Sequence, residues 1–351
     1  MPETPDLSIG ILAHNEETRI AATLQGLFGQ NVFAKHSTEV VVIANGCTDK
    51  TASIAREVIL DNRALWCVRG SARVVELTKA GKSNAWNKYV HEFSSAQAPI
   101  LFFMDSDIEL IAADTLNSML TTLKTNPEAV VCVDRPIKDI ALIPNPTFVQ
   151  RLLLASTPKI NPNDPALCGQ LYCVRSEELR VIKLPVEITV EDGFLRALLL
   201  TWGFTRPEDK RRIILDLKAS HIFKSVATFH ETFKHEVRVV AGSIVNMLLF
   251  ERFSEECKRD RSAMALMQIW ETEDPGWLRV FVKHKAKERG WQLLPSSWWT
   301  RRWSRLGRMS VAQMLGRAPA VALASALDAI VFLTAIRYVQ TGKALGYWGR
   351  V

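Results

Sequence analysis

Asp105 and Asp107 stand two residues apart in Asp105-Ser106-Asp107, directly after the apolar run Ile100–Met104. A D-x-D at the end of a buried strand offers hard oxygen ligands to Mg²⁺ or Mn²⁺. A cation held there can bridge to the phosphates of a nucleotide. Taken alone, the pattern is more often a solvated turn. Two more polar clusters follow apolar runs in the same way: His14-Asn15-Glu16 after Leu7–Ala13, and Asn45-Gly46-Cys47-Thr48-Asp49 after Glu39–Ala44. Asn45 and Asp49 can hydrogen-bond a base or ribose. Gly46 permits a tight turn and a close backbone approach. A fourth cluster, Glu191-Asp192, opens the run Glu191–Trp202. Two carboxylates there suit the positive end of a helix dipole.

These clusters need elements to position them. Leu7–Ala13, Glu39–Ala44, Ile100–Met104 and Ala129–Val133 read as strands, the middle two as strands buried on both faces. Helical spacing occupies Glu17–Phe28, Thr51–Ile59, Lys82–Phe93 and about Ala113–Lys124, then Glu191–Trp202 and Phe233–Phe250. The β-α-β rhythm of the first 135 residues predicts an α/β fold around a mostly parallel, doubly wound sheet. Ligands of such sheets bind beyond the carboxyl ends of the strands. That is where the first three clusters fall. From Pro136 to Pro165, six prolines interrupt the pattern as a loop-rich crossing.

The chain has 351 residues, enough for one large α/β domain or two smaller ones. Its 48% hydrophobic content excludes wholesale disorder. Six sparse cysteines exclude a disulfide scaffold and point to a reduced, cytoplasmic chain. Met1 to Ile20 has no basic start followed by an apolar run, so no cleaved signal peptide is expected. The net charge of +7 is uneven: residues 1–278 carry net −4, residues 279–317 net +9, and residues 318–351 net +2.

The five blocks Ser8–Glu16 (SIGILAHNE), Val41–Thr51 (VVIANGCTDKT), Lys79–Ala85 (KAGKSNA), Leu101–Asp107 (LFFMDSD) and Val190–Gly193 (VEDG) occur in the order that resembles a family 2 glycosyltransferase of the GT-A fold. A looser block, His235–Arg238 (HEVR), follows. The resemblance spans roughly residues 6–250. It implies a mixed sheet flanked by helices, with C-terminal membrane-associated helices.

It also implies roles. His14, Asn15 and Glu16 would line the nucleotide pocket, and Asn45, Gly46 and Asp49 would bind the donor near its base. Lys82 would approach the donor, and Asp105 with Asp107 would bind Mg²⁺ or Mn²⁺ and the diphosphate. Asp192, with Glu191 beside it, would be the general base, and Arg238 would contact diphosphate. The donor would be a nucleotide-diphospho-sugar, a UDP-sugar first. The chain departs from the processive members, whose Gln-x-x-Arg-Trp block has lost its Gln and Trp here. His221 is either a late metal ligand or an ordinary structural histidine. Cys168-Gly169-Gln170 either borders the acceptor or is an unrelated loop.

The carboxyl-terminal part differs in character. Six of the ten tryptophans lie between Trp270 and Trp303, among Arg279, Lys283, Lys285, Lys287, Arg289, Arg301, Arg302, Arg305 and Arg308. Next comes Ala318–Ile336, 19 residues with Asp328 as its one charge. Basic and aromatic residues beside an apolar run favour an anionic membrane over nucleic acid.

The expected organisation is therefore a catalytic domain over 1–250, with a nucleotide-sugar half (1–115) and an acceptor half (116–250). A basic, Trp-rich segment (251–317), a spanning or interfacial helix (318–339) and a tail (340–351) follow. The expected activity is inverting sugar transfer to a lipid, lipid-linked or polysaccharide-precursor hydroxyl, at the cytoplasmic face of the cell membrane. A non-catalytic protein of the same fold and a sugar nucleotidyltransferase are the alternatives.

Overall fold

The structure is a computed structural model that describes residues 4–67, 69–147, 150, 151, 154, 160–225, 228–258, 261–306 and 311–346. Arg308 of the basic stretch lies outside them. The chain forms two compact units. The first comprises Met1–Val186, Glu191–Ser225 and Cys257–Gln268; the second comprises Glu187–Val190, Val226–Glu256 and Ile269–Val351.

The first unit is built on an eight-stranded sheet of order β3-β2-β1-β4-β7-β6-β8-β5. The strands are β1 (Leu7–Ala13), β2 (Thr38–Asn45), β3 (Ser71–Leu77), β4 (Ile100–Asp105), β5 (Ile108–Glu109), β6 (Val131–Lys138), β7 (Leu171–Arg175) and β8 (Ile213–Phe223). Strands β3, β2, β1 and β4 are parallel. Strand β7 then runs antiparallel between β4 and β6. The sheet is mixed but mostly parallel: β6 and β8 pair in parallel with the sense of β4, and β7 and β5 run against the other six strands. An apolar run buried on both faces reads the same in either direction, so the sense of β7 is set by its neighbours and not by its residues.

Helices α1 (Ile20–Phe28), α2 (Thr51–Asp61), α3 (Lys82–Lys88) and α4 (Thr115–Thr125) connect the early strands, and α5 (Glu191–Leu200) follows β7. The core gathers the inward residues of β1, β2 and β4 (Ile9, Ile11, Val40, Val42, Phe102, Met104) against Leu24, Leu27, Leu116 and Leu120 of α1 and α4. Beyond Lys88 the helical path widens into one π turn, Tyr89–Phe93. This places Tyr89 edge-on to Phe103 at 5.1 Å. It also lays the Tyr89 ring over Gly10, where any Cβ would come within 2.6 Å of a ring carbon. Gly10 is therefore fixed by close approach. Cys132 and Cys173 face each other across β6 and β7 as buried, free thiols.

The second unit is helical where described. It contains α6 (Phe229–Glu256), α8 (Trp277–Arg289) and α9 (Val311–Gln340); α7 (Ala263–Glu273) straddles the boundary between the units. Phe332, Ala335, Ile336 and Val339 of α9 are buried, whereas Leu323, Leu327, Ile330 and Leu333 are exposed. Gly316–Gln340 is long and apolar enough to cross a membrane. Its single acid, Asp328, is held by Arg302 at 2.7 Å and Arg301 at 3.1 Å. The charge that weakens the apolar run in sequence is thus matched by two guanidinium groups from the basic stretch.

Candidate active site

Register explains why the separate clusters meet. Ala13 pairs with Ala44 across β1 and β2, and Leu12 pairs with Asp105 across β1 and β4. The carboxyl ends of three parallel strands therefore lie side by side, and the residues following each share one edge.

On the β1–β2 side the two loops are laced together. Asn15 adopts a left-handed backbone (φ 55°), and its side-chain oxygen accepts from the Thr48 amide at 2.8 Å. The Glu16 amide donates to Thr51 Oγ1 at 2.7 Å, and the Glu17 amide to Asp49 Oδ2 at 3.1 Å. His14 Nδ1 donates to the Asn45 carbonyl at 2.8 Å. Gly46 turns with φ +61°, and a Cβ there would collide with Ala80 at 2.7 Å. The Asn45 side chain is fully buried, and neither end of its amide has a partner among the described residues.

On the β4 side the charges are dense. Lys82, the first residue of α3, lies 3.1 Å from Asp105 Oδ1 and 3.1 Å from Glu191 Oε1. Asp107 pairs with Arg19 at 3.0 Å. Asp192, beside Glu191 at the start of α5, accepts from the Gly193 amide at 2.7 Å. Gly169 closes this arrangement from the third side. A Cβ on it would sit 3.3 Å from Lys82 Nζ and 3.5 Å from Asp192 Cβ. The Asp105 amide donates to the Gln170 carbonyl at 2.8 Å, so the Cys168–Gln170 loop is fastened directly to the D-x-D. Phe103 stacks on Tyr172 at 4.7 Å and on Trp86 at 5.6 Å, and Trp86 Nε1 donates to the Tyr172 hydroxyl at 2.9 Å. These rings line the same pocket as Lys82, Asp105 and Asp192.

Burial and mutual charge shift the ionisations. Burial, aided by the charge of Asp107, pushes Asp105 up to about 6 against the pull of Lys82. Burial and the charge of Glu191 raise Asp192. Burial opposes the charge of Lys82, but Asp105, Glu191 and Asp192 together outweigh it and hold the ammonium well above its usual range. Burial pushes the Cys168 thiol up to about 12, which removes it as a nucleophile.

Among the described residues, no group of three or more His, Cys, Asp or Glu could hold a metal by itself. Asp105 and Asp107 still fit a divalent cation as a pair of hard ligands at one strand end. Their present counter-ions, Lys82 and Arg19, mark a local excess of negative charge. A cation there would need further oxygens from a bound diphosphate to complete its coordination.

His221 is fully buried. Its Nδ1 donates to Asp134 Oδ2 at 2.7 Å, and its Nε2 lies 3.2 Å from the side-chain oxygen Oε1 of Gln170. It thus braces the loop that carries Gly169, and both ring nitrogens are engaged. Arg238 stands in the second unit, on α6. Arg19 and the Trp86–Phe103–Tyr172 stack escaped the sequence reading, because an arginine before a helix and aromatic residues in apolar runs carry no distinguishing pattern.

A family model described as "Glycosyl transferase family 2" matches residues 8–159. No curated protein matches the chain significantly. Among solved structures, the chain is similar to a mannosyltransferase from Pyrobaculum calidifontis in complex with GDP-Man and Mn²⁺. That match has 16% identity and a TM-score of 0.58, and covers 97% of this chain and 88% of the other. A second match is glucosyl-3-phosphoglycerate synthase from Mycobacterium tuberculosis in complex with Mn²⁺, UDP-glucose and phosphoglyceric acid. It has 18% identity and a TM-score of 0.47, over 68% of this chain and 79% of the other.

Proposed function

We infer that this chain, a glycosyltransferase whose residues 8–159 form a family 2 domain on a GT-A fold, moves a hexose from a nucleoside-diphosphate sugar to an acceptor hydroxyl with inversion. The observation that carries this reading is the meeting of Asp105, Lys82, Glu191, Gly169 and Asp192 around one pocket at the sheet edge. A UDP-hexose is the first donor to test. A GDP-hexose is the second, because the mannosyltransferase of like fold carries GDP-Man.

In this reading His14, Asn15, Glu16, Asn45, Gly46 and Asp49 form the nucleoside side of the pocket. Asp105 and Asp107 would hold a Mg²⁺ or Mn²⁺ ion, which would supply charge stabilisation for the departing nucleoside diphosphate. Lys82 adds a fixed positive charge beside the same diphosphate. Asp192 takes the proton of the acceptor hydroxyl, and its raised pKa makes it a stronger base than an exposed aspartate. Glu191 keeps Lys82 in place. The acceptor oxygen bonds to the anomeric carbon as the carbon–diphosphate-oxygen bond breaks. A single displacement of this kind inverts the centre and needs only one carboxylate base.

The acceptor we take to be a lipid or lipid-linked glycan, with the protein seated on the cytoplasmic face of the membrane. Support comes from the apolar helix Gly316–Gln340, its exposed leucines and the basic stretch before it.

The test is a panel of UDP- and GDP-hexoses with membrane extract, scored for released nucleoside diphosphate and for label in lipid, with and without chelator. Turnover abolished by chelator and by Asp107→Ala supports the reading. Turnover indifferent to both would overturn the metal assignment, and label confined to water-soluble product would overturn the lipid acceptor.

A further inference from the structure

We propose that the second unit carries a recognition site for a lipid phosphate monoester, formed by Lys234, Arg238 and Lys343. The three side chains line one cavity of about 70 Å³ together with Phe233, Val237 and Tyr338. Every residue lining it belongs to the second unit.

Three features of the cavity lead to a phosphate. Three cations converge on it, and among the described residues none has a carboxylate within ion-pairing distance. Arg238 Nε is buried and has no hydrogen-bond partner among the described residues. Elsewhere in this unit Arg301 and Arg302 are paired with Asp328, so the want of an acidic partner is local; Lys343 lies over the Tyr338 ring at 5.9 Å. A buried donor without an acceptor is costly, and a doubly charged oxyanion would satisfy Arg238 Nε and pair with the two lysines at once through charge-assisted bonds.

The rest of the wall leads to a lipid. Phe233, Val237, Tyr338 and Ala344 give it an apolar surface that a free phosphate would leave wet. Tyr338 belongs to the Gly316–Gln340 helix, the one segment among the described residues long and apolar enough for a bilayer, and lies near its carboxyl end. A cationic cavity at the end of such a helix sits at the depth of a phosphate headgroup if the helix enters the membrane. Lysines and arginines add their attraction there most strongly. The inference rests on the membrane seat proposed above and is independent of the transfer chemistry.

The experiment uses the full chain and equilibrium binding, with no turnover readout. Vesicles of phosphatidylcholine are compared with vesicles containing phosphatidic acid, and with phosphatidylglycerol vesicles matched in surface charge. Inorganic phosphate serves as the soluble arm. The proposal expects binding to phosphatidic acid at least about tenfold tighter than to phosphatidylglycerol. It also expects Lys234→Ser/Lys343→Ser, which changes two exposed side chains, to lose that margin with an unchanged melting temperature. Equal binding to both anionic vesicles overturns the phosphate site and leaves the membrane seat standing. Binding to none overturns both. Inorganic phosphate binding without lipid preference overturns the lipid assignment, as does a margin that survives in the double variant.

Discussion

Lys82 and Asp105 meet at 3.1 Å, although 23 positions separate them in the chain. The same ammonium reaches Glu191 at 3.1 Å, so one lysine at the start of a helix ties the D-x-D to the acidic pair of α5. Each partner is a half-buried charge that would be expensive alone, and together they form a network whose members hold one another in place.

Lys82→Ala leaves Asp105 and Glu191 facing each other without their shared counter-charge. We expect kcat/KM to fall by about a hundredfold or more, in the range seen when a fixed transition-state charge is removed. Lys82→Arg should recover only part, because a planar guanidinium cannot replace a point charge between two carboxylates. Steady-state kinetics with a saturating acceptor separates the two variants, and an unchanged rate in Lys82→Ala would remove Lys82 from the site.

Asp192→Asn keeps the shape and the bond from the Gly193 amide but removes the base. The expected loss in kcat is roughly a hundredfold to ten-thousandfold, with donor affinity nearly unchanged. Glu191→Gln should act more mildly and should raise the donor KM, because it loosens Lys82. Donor affinity measured by calorimetry on both variants distinguishes these effects, and wild-type turnover in Asp192→Asn would rule out the base assignment.

Asp105, pushed up to about 6, gives the metal-free protein a specific pH dependence. A carboxyl whose pKa rises on folding holds its proton more tightly in the folded state. Its contribution to stability therefore falls as pH climbs from about 4 to about 6 and stays low above that, by an amount of about 3 kcal/mol. A divalent cation with nucleoside diphosphate relieves the penalty. Mn²⁺ with UDP or GDP should raise the melting temperature more at pH 7.5 than at pH 5. Asp105→Asn should abolish that difference, and an equal rise at both pH values would contradict it.

His221→Ala would strand Asp134, fully buried, without its donor. Breaking a buried pair from one side costs about 3–5 kcal/mol, and denaturant unfolding should show it. His221→Leu combined with Asp134→Leu should recover part of the loss, because two apolar groups leave no stranded charge. If His221 were instead a metal ligand, His221→Ala would weaken Mn²⁺ binding while leaving the stability of the metal-free protein unchanged.

The amino-acid sequence by itself determined the elements that supply the chemistry. Strong apolar runs made β1, β2, β4 and β6 legible, and polar residues directly after them named His14–Glu16, Asn45–Asp49 and Asp105–Asp107, because side chains beyond a buried strand must leave the core. The macrodipole argument marked Glu191 and Asp192 at a helix start, where they are found. Strand β3 went unread because its residues are only half-buried and alternate weakly. Strands β7 and β8 went unread altogether, and the antiparallel sense of β7 and the π turn at Tyr89 are hidden because direction and hydrogen-bond offset leave no trace in residue type. Only the tertiary structure could bring Arg19 to Asp107, Lys82 between Asp105 and Glu191, Gly169 against Asp192, and His221 to Asp134. Each of these pairs joins residues from different elements, and no local spacing encodes their approach. It is set by the register of parallel strands and by the core packing that aligns their ends.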